Sequence, residues 1–179
     1  MSTLLKVHSK KDILREYRGT PIELLFGYHN LQKQESLHSA ADLLIAMCMD
    51  NRKKMRIPEN FAYIIRTGGA NLRYSEFKIS YAIAIGGIKA MALIAHNNCG
   101  MVGLISRKKA FIDGLSKNAG WSRKKAEEHF WNFAPMFEID NEIDFVCAEA
   151  QRLRKKYPKI LVAPLFYDLN DNLLCQIVE

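Results

Sequence analysis

The sequence has little of the residues that mark several protein classes. Its 179 residues include only four cysteines, five prolines and ten glycines. So few cysteines exclude a disulfide-stabilised scaffold, and we expect the thiols to be reduced. So few prolines and glycines, together with 49% hydrophobic residues, exclude collagen-like and disordered chains. The chain is therefore expected to fold as one ordinary globular domain with a core of its own.

Long uninterrupted apolar runs are also missing. The longest apolar stretch, from 79 to 95, contains Lys89 and the Gly86-Gly87 pair, whereas a membrane-spanning helix needs about 18 or more apolar residues in succession. The first residues reach the charged residues Lys10, Lys11 and Asp12 before any hydrophobic segment long enough for a secretory signal. We therefore expect a cytoplasmic protein without a membrane partner.

The chain is basic, with 26 Lys and Arg residues against 19 Asp and Glu residues and a net charge of +7. The basic residues fall in short runs rather than along one stripe, at 52–56, 107–109, 123–125 and 152–159. These runs lack the interleaved aromatic residues that are typical of proteins binding single-stranded nucleic acid. We interpret the runs as solvated faces and helix ends, and we expect no nucleic-acid partner.

Hydrophobic periodicity predicts an α/β sandwich. Three short apolar runs are typical of strands buried in a parallel sheet, at 42–47, 61–66 and 89–95. A further strand and its antiparallel hairpin partner are predicted at 160–167 and 173–178. Apolar residues at helical spacing predict six helices, at 11–18, 21–34, 74–85, 107–118, 122–133 and 142–157.

Local signals place the helix ends and divide the chain. Thr20 is predicted to cap the second helix, with Pro21 at its first position, and Ser122 is predicted to cap the fifth. Pro135 is expected to separate the last two helices. We interpret residues 1–179 as a single domain, with a helical arm over 1–40 and an α/β core over 41–179.

Cysteine and histidine side chains follow two of the predicted strands. Cys48 comes directly after the first strand, and His96 and Cys99 follow the third. Because the carboxyl ends of parallel strands meet at one edge of a sheet, we expect these side chains to lie close together. Thiolates and imidazole are ligands of tetrahedral zinc, and catalytic zinc sites use three protein ligands and keep a fourth position for water. The sequence therefore predicts one catalytic Zn²⁺ ion per chain.

A simpler interpretation of these residues stays open. Cys48 and Cys99 would be small buried apolar residues, and His96 a hydrogen-bonded histidine of the core. The occurrence of both motifs at matching strand ends favours the zinc site. Cys147 and Cys175 fall within a predicted helix and the final predicted strand, and we expect neither of them to bind the metal.

Asp50 and Arg52 lie on the loop that follows Cys48. A guanidinium two residues from a carboxylate can hold it by a bidentate hydrogen bond and keep it ionised beside a metal. Asp50 then has two roles open to it: it accepts a hydrogen bond from zinc-bound hydroxide, or it occupies the fourth coordination position itself. An ordinary surface ion pair is the alternative.

Two motifs together resemble the zinc signature of the β-class carbonic anhydrases, namely Cys48-x-Asp50-x-Arg52 and His96-x-x-Cys99-Gly100. The first motif is similar to that of the subgroup with Cys-Met-Asp-x-Arg. The resemblance covers roughly residues 40–101 and 160–178. It implies a three-layer α/β sandwich whose mostly parallel central sheet carries an antiparallel C-terminal edge strand and an N-terminal helical arm.

The resemblance also implies an enzyme that reversibly hydrates carbon dioxide to bicarbonate and a proton by means of a zinc-bound hydroxide. In this interpretation Asp50 orients the hydroxide, Arg52 orients Asp50, and the backbone N–H of Gly100 donates to a substrate oxygen. Relatives of the family hydrolyse carbonyl sulfide or carbon disulfide with the same metal ligands, so such a hydrolase is one alternative. A catalytically silent scaffold that binds zinc or an anion is another.

The resemblance finally implies a homodimer or a higher even oligomer, because β-class active sites lie along a two-fold interface. The predicted arm carries an apolar face that must be buried somewhere. We expect a partner subunit to cover it, as the N-terminal helices of the family reach across the interface. The residues of this face are Ile13, Leu14, Tyr17, Ile22, Leu24, Leu25 and Phe26.

Overall fold

The computed structural model describes residues 2–179. Its strands are β1 (Thr3–Lys6), β2 (Leu43–Cys48), β3 (Ala62–Thr67), β4 (Ala90–His96), β5 (Leu161–Asp168) and β6 (Leu173–Val178). Its α-helices are α1 (Pro21–His29), α2 (Glu76–Ala84), α3 (Lys108–Ala119), α4 (Arg123–Phe137) and α5 (Glu142–Lys156).

The six strands form one sheet in the order β1-β6-β5-β4-β2-β3. Strands β3, β2, β4 and β5 are parallel to one another, and β6 runs antiparallel to β5. Because β2 and β4 are parallel neighbours, Cys48 and His96 leave the sheet at the same edge. The predicted α/β sandwich with a mostly parallel sheet is therefore confirmed.

One detail of the predicted sheet is wrong, because β6 is not its edge strand. Strand β1 pairs antiparallel with β6, with Thr3 opposite Val178, and takes the edge position itself. The four residues of β1 are all exposed and do not alternate between polar and apolar, so hydrophobic periodicity gives no signal for this strand.

Alternation along β2 divides the interior into two cores. Leu43 and Ile45 lie in the first core, where the N-terminal arm and α1 cover the sheet. Leu44 and Ala46 lie in the second core, where α2 and α5 cover the opposite face. The result is three layers, with the sheet in the middle and both of its faces buried.

The N-terminal arm differs from the prediction in two ways. The helix predicted at 11–18 consists of two short 3₁₀ turns, at Lys10–Asp12 and Arg15–Tyr17. Helix α1 begins as predicted, because the Thr20 hydroxyl accepts a hydrogen bond from the backbone N–H of Ile22 at 3.2 Å. It ends at His29 and not at 34.

The expectation that a partner subunit covers the arm is wrong. Its large apolar side chains are buried against this chain's own sheet, in the first core. Tyr17 is 1% exposed and Phe26 is fully buried within the single chain. The amphipathic pattern was correct evidence for burial, but it could not tell whether the covered surface belongs to the same chain or to another.

Helix α4 also departs from the prediction, because it runs through Pro135 and ends at Phe137. A proline removes one backbone donor yet keeps a helical φ, so the helix can close one more turn before the N–H of Glu138 bonds to the carbonyl of Ala134. Ser122 caps its start as predicted. No helix within residues 2–179 is long and apolar enough to cross a membrane.

Candidate metal centre

Three side chains with metal-ligand chemistry meet at the carboxyl edge of the sheet. Cys48 ends β2, His96 ends β4, and Cys99 lies in the turn after β4. Their ligand atoms all lie within 4.8 Å of one another, and the two sulfur atoms are 3.9 Å apart. All three residues are buried. The structure thus brings together the three residues that were predicted from the sequence to lie close together.

The imidazole of His96 is oriented by its own backbone neighbour. Its Nδ1–H donates to the carbonyl of Asn97 at 2.9 Å, which leaves a lone pair on Nε2. Within residues 2–179, this buried Nε2 has no hydrogen-bond partner. A buried nitrogen without a partner is costly, and a metal ion would satisfy it. Two sulfur donors and one such nitrogen fit zinc.

The two thiols of the cluster differ in acidity. A hydrogen bond from the Cys99 thiol lowers the pKa of Cys48, and the backbone N–H groups of Asp50 and Gly69 lower it further. The pKa of Cys99 is raised by the hydrogen bond with Cys48 and by burial. Cys48 is therefore the more acidic thiol of the two.

The turn that carries Cys99 depends on a left-handed residue. Asn98 has a φ of 55°, a conformation that asparagine tolerates better than most residues other than glycine. Its carbonyl accepts a hydrogen bond from Nη2 of Arg52 at 3.0 Å. The backbone N–H of Cys99 donates to Oε1 of Glu142 at 3.2 Å. The loop after β2 and the start of α5 thus both fix the turn.

Arg52 forms a bidentate ion pair with Asp50 on the loop that follows Cys48. Its Nε donates to Oδ1 at 3.0 Å, and its Nη2 donates to Oδ2 at 2.5 Å. The backbone N–H of Arg52 adds a bond to Oδ1 at 2.9 Å. The guanidinium holds the pKa of Asp50 well below its usual range, so this carboxylate is ionised at neutral pH. Asp50 lies outside the cluster of ligand atoms, and its role in catalysis stays a prediction.

The other predicted residues are also located. Gly100 lies in the turn immediately after Cys99, and its role as a donor to substrate stays a prediction. Cys147 lies on α5 and Cys175 on β6, and neither belongs to the cluster. Burial raises the pKa of both thiols, to about 11 for Cys175.

An apolar cavity of about 320 Å³ adjoins the cluster, and the sequence analysis did not predict it. Its lining includes Met49, which follows Cys48 in the sequence, Met101, His129 and Phe side chains of α3 and α4. A side chain at Gly68 would meet Sδ of Met101 at 2.9 Å and Cδ1 of Phe137 at 3.1 Å, so the lack of a Cβ allows both side chains to pack closely here. The spacing of Phe130, Phe133 and Phe137 on α4 could have indicated an apolar face.

Lys53 and Arg66 are further charged residues near the cluster that sequence reasoning missed. Lys53 belongs to a run that we interpreted as solvated, yet it is only 2% exposed. That interpretation is wrong for this residue. Nη1 of Arg66 lies 3.4 Å from the backbone carbonyls of Cys48 and of Asp50 and donates to both. A basic run gives no sequence signal for which of its members turns inward.

No protein-family model and no curated protein matches the sequence. Solved structures do match. The β-carbonic anhydrase isoform I of Trichomonas vaginalis superposes with a TM-score of 0.63 at 16% identity, over 80% of this chain and 87% of that one. The carbonic anhydrase of Streptococcus mutans gives 0.60 at 14% identity, over 93% and 100%.

A carbon disulfide hydrolase in its apo form is also similar, with a TM-score of 0.52 at 18% identity, over 75% of this chain and 77% of that one. Identities this low establish a shared fold and leave the reaction open. The suspected resemblance is confirmed at that level, since the matching structures are mostly β-carbonic anhydrases. This chain has the fold of the β-class carbonic anhydrases.

Proposed function

We propose that this chain is a zinc-dependent carbonic anhydrase, which reversibly hydrates carbon dioxide to bicarbonate and a proton. The observation that carries the proposal is the buried Cys48, His96 and Cys99 cluster, with its unpartnered Nε2, beside the Asp50–Arg52 pair. The three cluster residues would hold one Zn²⁺ per chain. When bound, zinc supplies a water molecule whose pKa is about 7 instead of about 15.7, and hence a nucleophile at neutral pH.

The chain's own residues would orient that water and the substrate. Arg52 keeps the Asp50 carboxylate ionised and fixed in direction. Because the pKa of Asp50 is so low, the carboxylate accepts a hydrogen bond from the attacking water and does not carry the proton away. The backbone N–H of Gly100 donates to a substrate oxygen. The apolar cavity beside Met49 admits an uncharged substrate such as carbon dioxide.

A second candidate is hydrolysis of carbonyl sulfide or carbon disulfide at the same centre. The apolar cavity favours it, because its lining, mostly Met, Leu and Phe side chains with His129, suits a sulfur-containing linear molecule at least as well as carbon dioxide. Carbon dioxide, carbonyl sulfide and carbon disulfide each contain one electrophilic carbon that the same nucleophile can attack. Rate measurements with each gas therefore distinguish the two candidate functions.

Stopped-flow hydration of carbon dioxide by metal-quantified protein tests the proposal. We expect one zinc per chain and a rate that rises with pH between about pH 6.5 and 9, around the pKa of the activated water. Zinc-loaded protein that is inactive with carbon dioxide but hydrolyses carbonyl sulfide or carbon disulfide would establish the second candidate. Zinc-loaded protein inactive with all three gases would indicate a silent scaffold.

We further propose that the active unit is a homodimer, formed through β3 and α2. Strand β3 is an edge of the sheet, and Tyr63 and Ile64 on it are exposed. On α2 and directly after it, Phe77 is 80% exposed and Ile85 is 71% exposed. Apolar side chains grouped beside an unpaired strand edge are typical of an interface, and a two-fold contact covers the same patch on both copies.

Light scattering tests the dimer. The single chain has a mass of 20.5 kDa, and we expect the wild type to show at least twice that value. Phe77→Glu should give a folded monomer, because an exposed side chain contributes little to the fold of one chain. Leu37→Glu, at a fully exposed position on another segment, is the matched control and should leave the mass unchanged. A wild-type monomer with full activity would contradict the proposal.

A further inference from the structure

The backbone ladder between β4 and β5 reaches its end at Asn97. At the start of this ladder the N–H of Leu161 donates to the carbonyl of Lys89 at 3.4 Å, and the two strands keep one parallel register to their ends. In a parallel ladder, the N–H groups of every second residue of a strand point to the same neighbour. The same pairing carried past the last residues would therefore join the N–H of Leu169 to the backbone carbonyl of Asn97.

The side chain of Asn97 makes that bond in place of its backbone. The N–H of Leu169 donates to Oδ1 of Asn97 at 2.8 Å. Nδ2 of Asn97 in turn lies 3.4 Å from Oδ1 of Asp168 and donates to it. The side-chain amide thus ties the end of β4 to the end of β5, and the backbone carbonyl of Asn97 is released from the ladder.

The released carbonyl holds the imidazole of His96. It accepts the Nδ1–H of His96 at 2.9 Å, and this bond leaves the lone pair of the buried Nε2 for a metal. A residue at 97 without a side-chain acceptor would have one carbonyl for two donors, the N–H of Leu169 and the Nδ1–H of His96. The amide of Asn97 removes this competition.

From this geometry we infer that Asn97 is a positioning residue of the metal centre. Its side chain replaces its own backbone carbonyl in the sheet, and the carbonyl thereby fixes the direction of the His96 imidazole. The inference rests on the proposed zinc centre and deepens it, because the proposed mechanism gives Asn97 no role. Asn97 acts only through His96 and touches neither the metal nor the substrate.

Two asparagines that bind the same carboxylate oxygen offer a matched experiment. Nδ2 of Asn170 also donates to Oδ1 of Asp168, at 2.8 Å, but Asn170 is exposed and makes no contact with His96. Zinc affinity is measured by competition with a chelator, which needs no catalysis. We expect Asn97→Ala to weaken zinc binding about 10- to 100-fold, as loss of a partner of a metal-binding histidine does. Asn170→Ala should bind zinc as the wild type does.

The Nδ1 proton of His96 provides a direct readout of the positioning. In zinc-loaded wild type this proton is buried and hydrogen-bonded, so its NMR signal should exchange slowly with water. The signal is identified by its absence from His96→Gln. In Asn97→Ala we expect exchange to be about tenfold faster, which corresponds to the loss of one hydrogen bond. Unchanged exchange or unchanged zinc affinity in Asn97→Ala would overturn the inference.

A conservative replacement tests whether the acceptor on the side chain is what matters. Asn97→Asp keeps an oxygen facing the N–H of Leu169, and combining it with Asp168→Asn avoids placing two carboxylates together. The double variant should bind zinc within a few-fold of Asp168→Asn alone and should protect the Nδ1 proton equally well. A double variant as impaired as Asn97→Ala would overturn the inference.

Melting of the metal-free proteins separates positioning from support of the fold. Asn97→Ala and Asn170→Ala each lose one side-chain bond to Asp168, so we expect similar, small decreases in melting temperature. If Asn97→Ala melts much earlier than Asn170→Ala while the Nδ1 proton stays protected, Asn97 only supports the fold and the inference is wrong.

The two proposals can fail separately. A wild type that binds zinc but does not hydrate carbon dioxide would contradict the proposed function, while weaker zinc binding and faster Nδ1 exchange in Asn97→Ala would still support the inference. A wild type that hydrates carbon dioxide, with the same zinc affinity and the same exchange in Asn97→Ala, would overturn the inference alone. A wild type that binds no zinc would overturn both.

Discussion

The four cysteines form two pairs that differ in acidity although all four are buried and free. Cys48 and Cys99 lie at strand ends, where backbone N–H groups and a second thiol lower the pKa of Cys48. Cys147 and Cys175 pack among apolar side chains in the second core, where burial raises the pKa of both. The comparison teaches that burial alone favours the neutral thiol, and that hydrogen-bond donors at the carboxyl edge of the sheet favour the thiolate form that metals bind.

The largest expected effect comes from removing one cluster thiol. Cys48→Ser should abolish zinc binding and all zinc-dependent activity, because a serine hydroxyl does not ionise near neutral pH to replace the thiolate. Cys175→Ser is the matched control from the other pair, and it should retain one zinc per chain. Elemental analysis of both variants is the measurement. Full zinc content in Cys48→Ser would refute the ligand assignment.

A smaller effect is expected beside the cluster. Asp50→Asn should keep its zinc and lower the rate of carbon dioxide hydration by about 10- to 100-fold, since the amide loses the charge that pairs with Arg52. Asp113→Asn is the control, because Asp113 forms an exposed ion pair with Arg123 at 2.5 Å and has no role in the proposed chemistry. Stopped-flow assays with zinc quantification separate the outcomes. Unchanged turnover in Asp50→Asn would remove this carboxylate from the mechanism.

The smallest effect is spectroscopic and concerns the two pairs directly. Since the pKa of Cys48 is lowered, metal-free protein should hold one thiolate per chain at pH 7 and lose it only as the pH falls well below that. Cys175, with a pKa of about 11, should ionise only in strong base. Thiolate absorbance near 240 nm during a pH titration measures this. Cys48→Ser should remove the absorbance at neutral pH, and Cys175→Ser should not. Equal absorbance in the two variants would show that Cys48 is no more acidic than Cys175.

Much of the sheet could be predicted from the sequence. The five strands that carry buried apolar runs were placed within one residue of their observed bounds, because a strand buried on both faces is a short, continuous apolar segment. The cluster followed from those bounds, since Cys48 and His96 stand at the ends of parallel neighbours. Strand β1, whose residues are all exposed, had no such signal.

Other features depend on contacts that no local pattern encodes. The apolar residues of the arm gave correct evidence for burial, but only the three-dimensional structure shows that Tyr17 and Phe26 pack on their own sheet. Lys53 reads as one more member of a basic run, and its inward turn is set by the loop between β2 and β3. The cavity beside Met101 needs residues from two helices and from the three segments that follow β2, β3 and β4 to come together.

The left-handed turn at Asn98 has a consequence for how this position tolerates substitution. Asn98 contributes to the centre through the direction of its backbone carbonyl, which accepts a hydrogen bond from Arg52. The chemistry of its side-chain amide is not used. In a saturation mutagenesis experiment, glycine and aspartate should therefore be accepted at 98 almost as well as asparagine, whereas valine and isoleucine should cost about 1–2 kcal/mol or more. At Cys48, His96 and Cys99 the side-chain chemistry limits which substitutions are accepted. At Asn98 the limit is set by the left-handed backbone conformation alone.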